Sequence, residues 1–212
     1  MNDERQFAPA TQRNREAILE VLQRILPPTG TILEIASGTG EHAVFFTPRL
    51  PGRKWLPTDI NYLSLASISA WLKYEPSDHI YPPILLDVCA NIWPMEVETQ
   101  PETEYLGEIT AIVSINMIHI APWSACLGLM AGAGRILPQN GILYLYGPFK
   151  QGGQHTAPSN AAFDEMLKSQ NAEWGVRDLD DVIAAAKMQN LQWRETIQMP
   201  ANNLSVVFSL AQ

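Results

Sequence analysis

The chain is poor in cysteine, in charge of positive sign and in long apolar runs. Its 212 residues hold 2 Cys, Cys89 and Cys126, far apart and in apolar surroundings, so the pattern predicts two reduced, half-buried thiols and no disulfide. There is no CxxC and no paired His, so no metal site is expected. With 14 Lys+Arg against 22 Asp+Glu, a formal charge of −8 and no basic run, most of the surface would repel a phosphate backbone. Nucleic acid is therefore not the expected partner. No apolar stretch approaches the length that spans a bilayer, so no membrane partner is expected either. "MNDERQFAPATQRNREAILEVL" mixes both charges where a secretory signal needs a basic tip and an unbroken apolar run, so a cytoplasmic location is expected.

What is present is an ordinary globular composition, 46% hydrophobic with 6 Trp, of a length that suits one core, so a single domain over 1–212 is expected. Apolar residues at helical spacing run from Arg15 to Leu26, and "PPTG" stops them. Thr31 to Ala36 reads as a buried strand interrupted only by Glu34, and Glu41 to Leu50 as the helix after a glycine loop. "KWLPTDI" is a second strand, with Pro57 predicted to interrupt its pairing, and Asn61 opens a helix to Tyr74. "PILLDV" (83–88) is a third strand. The stretch 90–107, with Glu96, Glu98, Glu102 and Glu104, reads as a solvated loop. "EITAIVSINMIHI" is a fourth strand running into Asn116 and His119; a helix from Pro122 to Leu137 and a turn on Asn140-Gly141 lead to a fifth. Strands alternating with helices predict a parallel sheet covered on both faces.

The tail changes character. A glycine-rich loop (Gln151 to His155) and two helices (Ser159 to Gln170, Asp178 to Asn190) precede a pair of period-two runs. Leu191, Trp193, Ile197 and Met199 are expected on one face. Leu204, Val206, Phe208 and Leu210 share another, with "PANN" as the turn of an antiparallel pair.

A glycine loop between strand and helix lets a ligand press against bare backbone. Gly38, Gly40 and Ala43 fit G-x-G-x-x-A, and Asp59 follows Gly40 at the distance of a ribose-binding acid, so a nicotinamide cofactor stands as one alternative. Glu34 suits the other: a carboxylate before the loop favours a ligand carrying an ammonium and a sulfonium over a pyrophosphate. Asp59 can accept from a ribose diol and Asp87 from an adenine amino group, at about 1.5 to 3 kcal/mol for each charged hydrogen bond.

"LEIASGTGEH", "PTDIN", "LLDV", "INMIHIAP" and "YGPF" resemble the successive motifs of class I S-adenosylmethionine-dependent methyltransferases. More narrowly, "RNREAIL", "SNAAFDEMLKSQNAEWGVRD" and "MPANN" resemble the methyltransferase-like protein 26 family, over about Phe7 to Phe208. The resemblance implies a Rossmann-like α/β fold whose seven-stranded, mostly parallel sheet has one antiparallel strand and helices on both faces. It implies S-adenosylmethionine as cofactor and S-adenosylhomocysteine as product. It places Glu34, Ala36, Ser37, Gly38 and Gly40 against the methionine part with His42 nearby, Asp59 at the ribose, Ile60 beside the adenine, Asp87 and Val88 at its edge, and Asn116 with Met117 at the floor. Ala36 and Ser37 depart from the Gly and the Cys or Ala that the class often has there.

For chemistry, His119 reads either as a general base or as a buried structural residue, and Tyr146 as lining an acceptor pocket or as a core aromatic. Arg13 and Asn14 read either as part of an N-terminal lid (1–14) or as a helix start capped by Asn14. Asn160, Phe163, Asp164, Trp174, Arg177, Asn202 and Asn203 are candidates to contact a small-molecule acceptor, in and beyond an acceptor-side insertion at 150–178. The accepting atom and the oligomeric state are not fixed by the sequence. A catalytically silent cofactor-binding protein is the remaining alternative.

Overall fold

The computed structural model describes residues 3–97 and 106–211, and Glu98, Glu102 and Glu104 of the acidic stretch lie outside them. Seven strands form one sheet in the order β3-β2-β1-β4-β5-β9-β8: β1 (Gly30–Ile35), β2 (Arg53–Asp59), β3 (Ile84–Leu85), β4 (Ile109–Ile115), β5 (Ile142–Gly147), β8 (Leu191–Met199) and β9 (Asn203–Leu210). β1, β2 and β3 pair in parallel, and β9 runs antiparallel to both β5 and β8. β9 is thus the one reversed strand of a mostly parallel sheet. The helices are α1 (Pro9–Ile25), α2 (Glu41–Phe46), α3 (Tyr62–Tyr74), α4 (Trp123–Ile136), α5 (Pro158–Gln170) and α6 (Leu179–Lys187), and a hairpin of β6 (Lys150–Gln151) and β7 (Gln154–His155) occupies the glycine-rich loop. Among the described residues no helix is long and apolar enough to cross a membrane.

Contacts group the chain into two compact units, one of residues 1–87 and 92–113, the other of 88–91 and 114–212. In the first, α1 starts at Pro9, whose missing N–H suits the first helical turn, and not at Arg15. Arg13 and Asn14 therefore lie inside the helix, and Asn14 is no cap. The residues before it lie along α3: the Gln6 N–H donates to Ser67 Oγ (2.8 Å), Trp71 Nε1–H to the Gln6 carbonyl (3.1 Å), and the Arg5 guanidinium sits 3.6 Å over the Tyr74 ring. Asn61 caps α3 by accepting the Leu63 N–H.

Pro57 does not break the pairing of β1 with β2, where it registers with Glu34. In a parallel strand the N–H and C=O of one residue point to the same neighbour, and the next residue points to the other. Trp55 bonds His79 and Tyr81 on the β3 side, so Pro57, of the same parity, turns its missing donor to that side. Thr58 keeps the β1 side, accepting the Ser37 N–H at 2.8 Å. β3 itself shrinks from the expected six residues to two, Ile84–Leu85, just after Pro82 and Pro83.

In the second unit a register shift between Trp193 and Glu195 corrects the expected face of β8. Before it, Leu191 and Trp193 pair with Leu210 and Phe208. After it, Thr196 and Gln198 pair with Val206 and Leu204, so Ile197 and Met199 fall on the opposite face. Trp193 is exposed. Neither cysteine is in a disulfide, and the two are unlike: Cys126 is buried and Cys89 exposed, not half-buried alike.

Candidate functional site

The loop after β1 turns through three left-handed residues, Ala36 (φ 55°), Gly38 (57°) and Gly40 (89°). A side chain at Gly40 would put Cβ 3.0 Å from the Ile68 backbone, so glycine is required for α3 to approach. Gly38 differs: nothing lies within 4 Å of its would-be Cβ, and its backbone faces open space. Its N–H donates to Asp59 Oδ2 (2.9 Å), while the Asn61 N–H donates to Oδ1 (2.8 Å). The buried Asp59 carboxylate is thereby fixed by two backbone donors. Each oxygen retains accepting capacity for a further donor, as a diol would supply. Ile60, next in the chain, is 60% exposed, an apolar side chain left in water beside that acid. Asp87 is also exposed, and Val88 half-buried.

Glu34 lies deeper, 2% exposed, and accepts the indole N–H of the buried Trp55 at 3.0 Å. Burial pushes its carboxyl up to about 7 against the opposing hydrogen bonds from Trp55 and Ser37. His42 is likewise packed away: burial, then the Arg15 charge, lowers it to about 3. The ring is neutral, stacks on Phe46 at 5.2 Å, and contacts Asn14 Oδ1 through Nε2 at 2.9 Å. Asn14 thus serves as partner to His42, whereas Arg13 is exposed on α1. Glu41 accepts the Ala8 N–H (2.5 Å) and the Thr39 hydroxyl (3.1 Å), fastening the N-terminal residues to the loop.

In the second unit β4 ends at Asn116, which takes φ 62° and donates its N–H to the Tyr146 carbonyl (2.8 Å); Met117 and Tyr146 are buried. His119 is 0% exposed, edge-on to Phe149 at 4.9 Å. Burial, then the Arg177 charge, lowers it to about 3, so the ring is neutral. Its Nδ1 lies 3.3 Å from the Arg177 N–H, and Nε2 has no hydrogen-bond partner among the described residues. A Cβ at Gly147 would sit 2.5 Å from that nitrogen and 3.2 Å from Asn116 Oδ1, so only glycine fits there.

Arg177 is committed to backbone: its guanidinium donates to the carbonyls of Ile118 (2.9 Å), Ala121 (2.6 Å) and Glu173 (2.7 Å). Asn160 Nδ2 donates to Thr156 Oγ1 and the Asn202 carbonyl, and Asn202 Nδ2 to Ser159, tying α5 to the turn between β8 and β9. Phe163 and Trp174 are half-buried. The organising residue is Asp164, nearly buried, within 3.3 Å of Lys150 and His155 and 2.7 Å of Lys168 and the Val176 N–H. Burial would raise its carboxyl, but Lys168, the Val176 N–H and Lys150 outweigh this and hold it below the usual range. The sequence offers Asp164 as one polar residue among many; nothing local marks the two lysines and the histidine that the fold gathers on it. A cavity of about 1300 Å³ in this unit is lined by Arg177 but by no other of the candidate acceptor residues; Trp123, Leu127, Lys150 and Asp178 are among those that line it.

The family model described as "Protein of unknown function (DUF938)" matches residues 5–210. The chain belongs to this family. Solved structures extend the comparison. The chain is similar to an O-methyltransferase family protein from Burkholderia thailandensis (10% identity, TM-score 0.73, 96% of this chain and 58% of that one). It is similar to human N-acetylserotonin methyltransferase in complex with SAM (12%, 0.68, 93% and 55%). It is also similar to a putative sarcosine dimethylglycine methyltransferase from Galdieria sulphuraria (14%, 0.70, 95% and 87%). The chain spans little more than half the length of the first two. At such identities the likeness is one of fold: the Rossmann-like fold of class I S-adenosylmethionine-dependent methyltransferases.

Proposed function

We propose that this chain binds S-adenosylmethionine and transfers its methyl group to a small-molecule acceptor. The observation that carries the reading is the Asp59 carboxylate, set by the Gly38 and Asn61 N–H groups beside a loop whose Gly38 backbone faces open space. Asp59 would hold the ribose hydroxyls, the Gly38 backbone the methionine part, and the exposed Ile60 the adenine face. A pyrophosphate fits less well, because the Ser37 and Gly38 N–H groups that would cradle it are already bonded to the Thr58 carbonyl and to Asp59. The class I methyltransferase fold and the resemblance to the methyltransferase-like protein 26 family support the same cofactor.

When bound, S-adenosylmethionine supplies an electrophilic methyl group for in-line attack by an acceptor lone pair, which leaves the protein the tasks of orientation and water exclusion. We assign the acceptor to the second unit, at the loops after β4 and β5 and the 150–178 segment, since ligands of open α/β sheets lie at the carboxyl ends of strands. There the neutral, fully buried His119 packs behind Gly147 and acts as a positioning residue, not as the acceptor's base. Arg177 and Asn160 shape the region by holding backbone carbonyls, and Asn202 by donating to the Ser159 hydroxyl. The net charge of −8 supports a small molecule over nucleic acid. Ultraviolet crosslinking with methyl-labelled S-adenosylmethionine tests the reading. Labelling competed by S-adenosylhomocysteine and not by NADH is expected; competition by NADH alone would hand the site to a nicotinamide cofactor.

A further inference from the structure

The cavity of the second unit is one end of a longer trough. It continues into a smaller one of about 450 Å³ bounded by Cys89, Gly128, Ala131 and Gln189, and the two share Leu127, Ala185 and Met188. The trough follows α4 and α6, which run in the same direction. Arg177, just before α6, bonds Ala121, just before α4, while near their ends a Cβ at Gly134 would meet the Gln189 carbonyl at 2.7 Å. Fourteen residues of α4 give it a length of about 20 Å. It runs along the surface for the length of two helices, a form that suits contact with a protein face more than enclosure of a small ligand.

Its chemistry is polar at the ends and apolar in the middle. The α6 side reads Asp180 and Asp181 at the start, Ala184 and Ala185 in the middle, and Lys187 and Met188 at the end. The other charges near the acidic end are already engaged. Lys150 pairs with Asp164, Asp178 accepts the Gly153 and Asp180 N–H groups, and Arg177 donates to three carbonyls. Among the described residues the side chains of Asp180, Asp181 and Lys187 have no hydrogen bond or ion pair. Met188 is 80% and Leu127 46% exposed, apolar side chains that stand out to solvent along the trough.

A surface with acid at one end, base at the other and an apolar ridge between is complementary to itself when turned by half a revolution. We propose that a second copy of the chain covers this face, related by a two-fold axis across the middle of α4 and α6. Asp180 and Asp181 of each copy then meet Lys187 of the other, and each Met188 packs toward the other copy's Leu127 and Trp123. The proposal does not depend on the cofactor reading.

Sedimentation velocity at tens of micromolar tests it. The wild type is expected at twice 23.6 kDa in low salt, with dissociation promoted as salt approaches ~1 M. Asp180→Lys/Asp181→Lys and Lys187→Asp should each sediment as monomers with unchanged circular dichroism. An equimolar mixture of the two should dimerise, because both charge contacts are restored only in the mixed pair. Met188→Lys, at an exposed position, should raise the dissociation constant at least tenfold and stands in if a charge variant fails to fold. A monomeric wild type, a dimer that survives both charge changes, or a mixture that stays monomeric would each overturn the proposal.

Discussion

Replacing Glu34 by Gln should stabilise this protein at alkaline pH and leave it nearly unchanged in acid. Glu34 is 2% exposed, and burial raises its carboxyl from 4.5 to about 7. The unfolded chain therefore releases this proton near pH 4.5 while the folded chain keeps it to about 7. Stability contributed by the protonated form is full below 4.5 and is lost as pH rises through 7. At about 1.4 kcal/mol for each tenfold change in proton affinity, the ionised form costs the fold up to ~3 kcal/mol at pH 8. Gln keeps an oxygen to accept the Trp55 indole N–H, 3.0 Å away in the wild type, and carries no charge to desolvate. At roughly 2–4 °C per kcal/mol for a chain of this size, thermal unfolding of Glu34→Gln at pH 8 should shift upward by about 6–12 °C, with little shift at pH 4. A lower melting temperature at pH 8 would refute the reasoning, since it would mean that the ionised carboxylate has a stabilising partner in the folded chain.

Three further outcomes follow from the packing. Gly147→Ala should lower stability by about 1–3 kcal/mol in denaturant unfolding, because the new methyl meets the His119 ring at 2.5 Å; an unchanged midpoint would mean that the ring moves aside freely. Asp164→Asn should cost about 2 kcal/mol, less than a fully buried pair because Lys168 is half exposed. The wild type's share of this stability is present above the ordinary carboxyl value and is lost as pH falls through the lowered one, so the two proteins should converge in strong acid. Once an acceptor is known, the wild-type rate should show no ionisation of His119 between pH 6 and 8, since its ring titrates near 3, and His119→Asn should change the rate without changing that profile. A wild-type limb near neutrality that the variant abolishes would restore His119 as a base.

How much of this could be read from the residues depends on whether the cause was local. The strand that carries Glu34, the glycine turn and the Asn61 cap were legible because each rests on its own few residues: an apolar run, a left-handed φ, a side chain two positions from its donor. Pro57 was misread because the harm a proline does depends on which neighbour its missing N–H faces, and that parity belongs to the sheet. The same holds for β8, where one extra residue at Trp193 to Glu195 reverses the faces beyond it without any local sign. In the candidate site, Asp59 was legible by its distance from Gly40. Asp164 as the shared partner of Lys150, His155 and Lys168 was not, because the folding back of the hairpin, and no local spacing, brings Lys150 and His155 to it. Arg177, Asn160 and Asn202 drew attention as polar residues, and their partners proved to be backbone carbonyls and small hydroxyls.

The most direct test of the central claim is calorimetric titration of the wild type and of Asp59→Ala with S-adenosylhomocysteine, and separately with NADH. The account predicts that S-adenosylhomocysteine binds the wild type, that Asp59→Ala weakens it by roughly tenfold or more, about 1.4 kcal/mol, and that NADH gives no heat. Absence of S-adenosylhomocysteine binding, or NADH binding that depends on Asp59, would contradict it.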